Sequence, residues 1–317
     1  MRHWSLVVSR PFRFGFSLDG LDDPAEIARR VRWAEDAGYS SVVMTDHFDE
    51  RHGPLVALTA AAVATKALRV GTLVLANDYR HPAVLAKELA SLDVISGGRV
   101  EIGIGAGWMT SDYEQAGIGL DRPRVRIERL DEAVSVLEGC FGDGPFDFEG
   151  DHYRISGLES WPKPVQKPRP PLLMAGGGHR MLALAGRRAD IIGINPSLHS
   201  GAIDEHAGPT ATAEATDRKL EVVREAAGER FGSIELQTRI HLAVITDDAH
   251  SLAAAAAPAF GITAEQALNS PHALVGTVNE CVARIEGWRE RWGISYISLM
   301  GSAAEEMAPV VERLAGR

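Results

Sequence analysis

Short apolar, β-branched runs alternate with helix-patterned stretches along almost all of the 317-residue chain, and no other feature restricts the fold as much. Strand patterns fall at residues 13–18, 41–44, 68–75, 99–104, 171–175, 190–194, 234–246 and 294–300. Most are apolar on both faces, as strands of a covered parallel sheet are. Helix patterns lie between them. The first begins at an Asp22-Asp23 cap with Pro24 in its first turn and carries Ile27, Val31 and Ala34 at helical spacing. Further helix patterns cover residues 55–67, 82–96, 123–141, 180–188, 213–231, 247–257, 277–292 and 305–314. Regular βα alternation gives either a closed (β/α)8 TIM barrel or an open doubly wound sheet, and a count of eight strands favours the barrel within the α/β class. Three stretches break the rhythm: a β-hairpin at 146–155 turning at 149–151, a proline-rich extended connector at 161–171, and an irregular insertion at 260–274. No linker composition separates them, so residues 1–317 read as one domain.

In a barrel the chemistry sits at the C-terminal ends of the strands. Polar and glycine-rich residues gather at those places: Asp46-His47, Leu73 to Asn77, Gly105 to Trp108, Gly176 to Arg180, and Asn195. Gly176-Gly177-Gly178 lets backbone approach a ligand closely, and the helix that follows turns its free N–H groups toward that spot, which suits a phosphate. A plain β-to-α turn would look the same. His47 offers an imidazole that suits proton exchange at a strand end, with Asp46 as the neighbour that fixes its tautomer; a merely packed His–Asp pair is the alternative. Trp108 offers an apolar wall or core filler. Arg180 contacts a phosphate or covers a helix surface. Asn195 meets cofactor or substrate. His81-Pro82 shapes a helix start, while His152 and Tyr153 face solvent.

Several classes are disfavoured. With 33 basic and 43 acidic residues the net charge is −10, which argues against nucleic acid or anionic membranes as partners. No apolar run approaches the roughly 18 residues of a membrane helix, and residues 1–10 are too quickly charged for a signal peptide. Cys140 and Cys281 read as reduced thiols of a cytoplasmic protein. No Cys/His spacing suits a metal.

Six pieces in register carry a resemblance: Thr45-Asp46-His47-Phe48, Arg69-Val70-Gly71-Thr72, residues 80–87, residues 92–99, Gly103-Ile104-Gly105-Ala106-Gly107-Trp108 and the Gly176 triplet. Together they resemble the luciferase-like monooxygenase superfamily from Phe14 to about Leu299, and most of all its oxidoreductases that use the deazaflavin coenzyme F420. The resemblance implies a luciferase-like barrel with the cofactor ring in its mouth, FMN being the alternative cofactor. Hydride transfer to or from a small organic substrate follows with F420, and oxygen-dependent monooxygenation with FMN. It also implies a bulge with a cis peptide within Leu73-Val74-Leu75, ring contacts at Asp46 and Gly105-Ala106-Gly107, the cofactor phosphate at Gly176-Gly177-Gly178-His179-Arg180, and a homodimer. The sugar-phosphate dehydrogenase members place an acidic Glu just after the strand-four glycines; here Trp108 stands there, and neither Glu101 nor Glu114 is a clear substitute. A silent barrel that only binds a flavin-like ligand or a partner is the competing class, which Asp46-His47 and the glycine triplet disfavour.

Overall fold

The computed structural model describes residues 10–18, 23–49, 52–202 and 205–317. The opening residues 1–9 and the Asp22 half of the first cap lie outside the described residues. In chain order the strands are β1 (Arg13–Ser17), β2 (Ser41–Met44), β3 (Arg69–Thr72), β4 (Leu75–Ala76), β5 (Val100–Gly105), β6 (Phe146–Glu149) and β7 (Arg154–Leu158). They continue with β8 (Leu172–Gly176), β9 (Ile191–Ile194), β10 (Glu235–Arg239), β11 (Leu242–Ile245), β12 (Ala273–Gly276) and β13 (Ile294–Leu299). The helices are α1 (Pro24–Asp36), α2 (Pro54–Ala64), α3 (Pro82–Ser96), α4 (Thr110–Ala116), α5 (Pro123–Phe141), α6 (His179–Arg188), α7 (Ala213–Ala227), α8 (Ala249–Ala256), α9 (Ala264–Asn269), α10 (Val278–Trp292) and α11 (Ala308–Leu314).

Eight parallel strands run in the order β3-β2-β1-β13-β10-β9-β8-β5, and pairing of Val70 and Gly71 in β3 with Val100 and Glu101 in β5 closes the ring. The expected TIM barrel is therefore present. Its strands read as unbroken apolar runs because one face fills the barrel and the other meets helices: Val42, Val70, Ile102, Ile104, Ile192, Ile194 and Ile297 are all buried. Helix ends follow local chemistry. The Asp23 carboxylate accepts the Ala25 N–H at 2.9 Å, and α3 stops at Gly97, whose φ of 68° suits a residue without Cβ.

The N-terminal end of the barrel is plugged by ions. Arg13 bonds Glu101 and Glu235, each at 2.7 Å, Arg69 bonds Glu101 at 2.7 Å, and the Arg13 guanidinium lies 3.6 Å from the centroid of the Tyr296 ring. Glu101 thus belongs to the end of the barrel opposite the mouth.

Four expectations change. The strand expected over 234–246 is two. β10 stays in the barrel, whereas β11 leaves it after Ile240 and pairs in parallel with β12. The irregular insertion at 260–274 therefore contains ordered structure, α9 and the start of β12. The polar loop after Trp108 contains α4, ended by Gly117 with φ 67°. Tyr153 turns inward rather than to solvent: its hydroxyl accepts from Asn77 Nδ2 at 3.1 Å and its ring lies edge-on to His81 at 5.4 Å. His81 does cap α3, accepting the Ala83 N–H at 3.2 Å.

Candidate active site

The C-terminal ends of β2, β3, β5, β8 and β9 open on one cavity of about 480 Å³. Asp46, His47, Leu73, Val74, Leu75, Gly105, Ala106, Gly107, Trp108, Gly176, Gly177, Gly178 and Asn195 all line it. His179 and Arg180 do not. They are exposed on the first turn of α6, and His179 lines an adjacent hollow beside Thr210, Arg218 and Lys219. Burial, and secondarily Arg218, lowers the Lys219 pKa to about 8; its ammonium donates to Asn195 O at 2.6 Å.

Between β3 and β4 the chain bulges into the barrel, and the Leu73–Val74 peptide is cis. The bulge has room because β5 carries glycine opposite it. A Cβ on Gly103 would stand 1.7 Å from Thr72 O, and one on Gly105 would stand 2.8 Å from Val74 Cγ2. The Thr72 hydroxyl also donates to Gly103 O at 2.7 Å and accepts the Gly103 N–H at 2.9 Å.

His47 and Asp46 are positioned by different partners. Asp46 does not hold the imidazole. Its carboxylate takes Arg80 at 2.6 and 3.0 Å and the Ala76 N–H at 3.0 Å, which ties β2 to the turn after β4. His47 Nδ1 instead lies 2.7 Å from Asp112 Oδ2, and the Tyr79 hydroxyl donates to the same oxygen at 3.3 Å. Trp108 stands edge-on to the His47 ring, centroids 5.7 Å apart at 85°. α4 is anchored one residue further on, where Tyr113 donates to Asp78 at 2.9 Å and Arg129 bonds Asp78 at 2.8 Å. Burial, with Asp112 and Asp78 respectively as the next causes, pushes both tyrosine hydroxyls well above their ordinary pKa, so both stay protonated donors. Asp112 and Tyr79 are the site residues that sequence reasoning passed over. The signal was present in Gly117, which ends α4 and so places Asp112 in its first turn.

The three glycines have three different surroundings. A Cβ on Gly176 would meet Met181 Cγ at 2.6 Å, and one on Gly177 would meet the Pro196 carbonyl at 2.4 Å and Ser197 N at 2.5 Å. The Cβ side of Gly177 is therefore bare to admit the protein's own loop. Gly178 alone faces open space. Asn195 Oδ1 is buried in the wall without a hydrogen-bond partner.

The sequence profile described as luciferase-like monooxygenase matches residues 5–267. The chain belongs to this family. A luciferase-like relative, the F420-dependent glucose-6-phosphate dehydrogenase of Amycolatopsis mediterranei, is 30% identical over 175 residues, 53% of this chain and 52% of that one. The FMNH2-dependent dimethylsulfone monooxygenase of Pseudomonas putida is 26% identical over 203 residues, 58% of this chain and 56% of that one. The matches thus span little more than half the length of these curated relatives. The solved coenzyme F420 dependent tetrahydromethanopterin reductase from Methanopyrus kandleri superposes with a TM-score of 0.77 at 19% identity, covering 96% of this chain and 98% of that one, which shows the luciferase-like fold. No helix among the described residues is long and apolar enough to cross a membrane.

The unequal glycines generate a prediction. Gly177→Ala forces Cβ onto backbone and should cost about 1–3 kcal/mol, whereas Gly178→Ala should leave stability unchanged. Urea denaturation midpoints of the two variants check this. A shift in Gly178→Ala as large as in Gly177→Ala would contradict the assignment.

Proposed function

We propose that this protein is an oxidoreductase that transfers a hydride between coenzyme F420 and a small organic substrate. The observation that carries the reading is the mouth itself: a bulged strand, an unpartnered buried amide oxygen, an open glycine at a helix N-terminus and the His47 imidazole, with His199 on the same lining, converge on a single cavity. Relatives named for F420 at about 30% identity support the deazaflavin over FMN. The 26% relative named for FMNH2 keeps an FMN-dependent monooxygenase as the second reading.

The residues fit a tricyclic ring with an anionic tail. Leu73, Val74 and Ala106 would pack against the ring, and Asn195 Oδ1 would accept an N–H from its polar edge. The Gly178 turn and the first N–H groups of α6 would hold the phosphate, with Arg180 adding positive charge from the exposed first turn of α6. When bound, the deazaflavin supplies a carbon centre that gives or takes a hydride. The chain's own work is to orient the substrate, exclude water with Trp108 and Val74, and move the accompanying proton. His47 moves it at Nε2, because Nδ1 is engaged with Asp112. In this reading residues 1–317 act as one domain.

A homodimer belongs to the same proposal. Helix α2 is apolar apart from Thr59, and Val56 and Val63 are 77% and 73% exposed on it. An apolar face of this kind is one that soluble chains cover. Sedimentation should show a dimer that Val56→Glu/Val63→Glu dissociates; a monomeric parent would contradict this.

Titrating the apoprotein with F420 and with FMN tests the cofactor. F420 is expected to bind the more tightly; saturable FMN binding with none for F420 would replace the reading by its alternative. His47→Ala should then retain affinity within a few-fold and lose turnover by about 10² to 10⁴. Unchanged turnover at saturating cofactor would make His47 structural.

A further inference from the structure

We propose that Asp112 is the positioning residue that commits His47 to one tautomer and so makes Nε2 the nitrogen that exchanges a proton with substrate. The proposal rests on the reading of His47 as proton partner and deepens it. Asp112 is 5% exposed and receives two donors on one oxygen, His47 Nδ1 at 2.7 Å and the Tyr79 hydroxyl at 3.3 Å. An ionised carboxylate only accepts, so Nδ1 must carry a hydrogen and Nε2 must hold the lone pair while the ring is neutral. Tyr79, held protonated by burial and by Asp112, strengthens the acceptor role rather than competing for it. Trp108 packs edge-on against the imidazole, centroids 5.7 Å apart.

Three polar groups nearby are committed elsewhere, while Arg122 and His199 also line the cavity. Asp46 is held by Arg80, Asp78 by Tyr113 and Arg129, and Arg126 donates to Gly107 O. No described residue occupies Nε2. Trp108 stands where the resemblance places an acidic Glu in the sugar-phosphate dehydrogenase members, and the buried carboxylate that meets His47 comes from the first turn of α4. From there it reaches the reaction only through the imidazole. Orienting carboxylates of this kind set which ring nitrogen is reactive and stabilise the imidazolium once it forms.

The test needs neither cofactor nor substrate. Imidazole ¹⁵N shifts of ¹⁵N-histidine-labelled protein, with the His47 signals identified by their loss in His47→Gln, report the tautomer directly. The parent is expected to show a protonated Nδ1 and bare Nε2 at alkaline pH. Asp112→Asn should shift His47 toward a mixture of tautomers, and Tyr79→Phe should retain the parental pattern. A parent with protonated Nε2, or an Asp112→Asn variant with unchanged shifts, would overturn the proposal. The parental measurement decides the matter even where Asp112→Asn folds poorly. Failure of the underlying reading looks different: the tautomer would be as stated while His47→Ala kept full turnover. With the tautomer lost, Asp112→Asn should bind F420 within a few-fold of the parent and lower turnover by about 10² or more.

Discussion

The mouth of this barrel depends on a backbone contact that only glycine permits. Thr72 and Val74 press on β5 where Gly103 and Gly105 have no side chains, and a Cβ at Gly103 would overlap Thr72 O at 1.7 Å. This crowding has three consequences. It lets β3 close on β5 at Val70 and Gly71 and then part from it, it pushes Leu73 and Val74 into the cavity, and it returns the chain to β5 at Leu75. Ala76, just beyond, binds Asp46 and so ties the end of β2 to the same feature. The bulge therefore sets the floor of the cavity and fixes one of the strand ends that carry polar residues.

Function is layered on that floor by parts with unequal freedom. The barrel strands hold the bulge and the glycines through main-chain pairing. The imidazole is aimed from outside the barrel, by a carboxylate on a seven-residue helix that is itself pinned through Tyr113 and Asp78. A site assembled in this way can change the carboxylate beside its imidazole by altering α4 without disturbing the strands, the kind of variation by which one barrel supports different chemistries. Trp108 fits that view. It occupies a strand-end position with an apolar ring while the carboxylate that meets His47 enters from the next element.

The eight barrel strands were legible because strands buried on both faces leave unbroken apolar runs, and the mouth was legible because glycines and polar residues end those runs. The bulge at Leu73-Val74 was placed by resemblance. What escaped reading depended on contacts between distant residues. Asp46 is next to His47 in sequence, yet the strand end sends the two side chains to different partners, and Arg80 and Ala76 claim the carboxylate. Asp112 is 65 positions from His47 and sits in a polar stretch without apolar periodicity. Gly177 looked like a ligand's approach route, but Pro196 and Ser197 fill that space from a loop whose path no local pattern reveals. The division of residues 234–246 escaped because the apolar pattern does not break where β11 leaves the barrel for β12.

A crystal structure of the protein with oxidised F420 bound is the most direct measurement of the central claim. The ring is expected over the Leu73–Val74 bulge, with its polar edge at Asn195, its hydride-bearing face toward the His47 side of the mouth, and its phosphate at Gly178 and the first turn of α6. A ring bound outside this cavity, or a tail leaving on the β2 side away from α6, would contradict it.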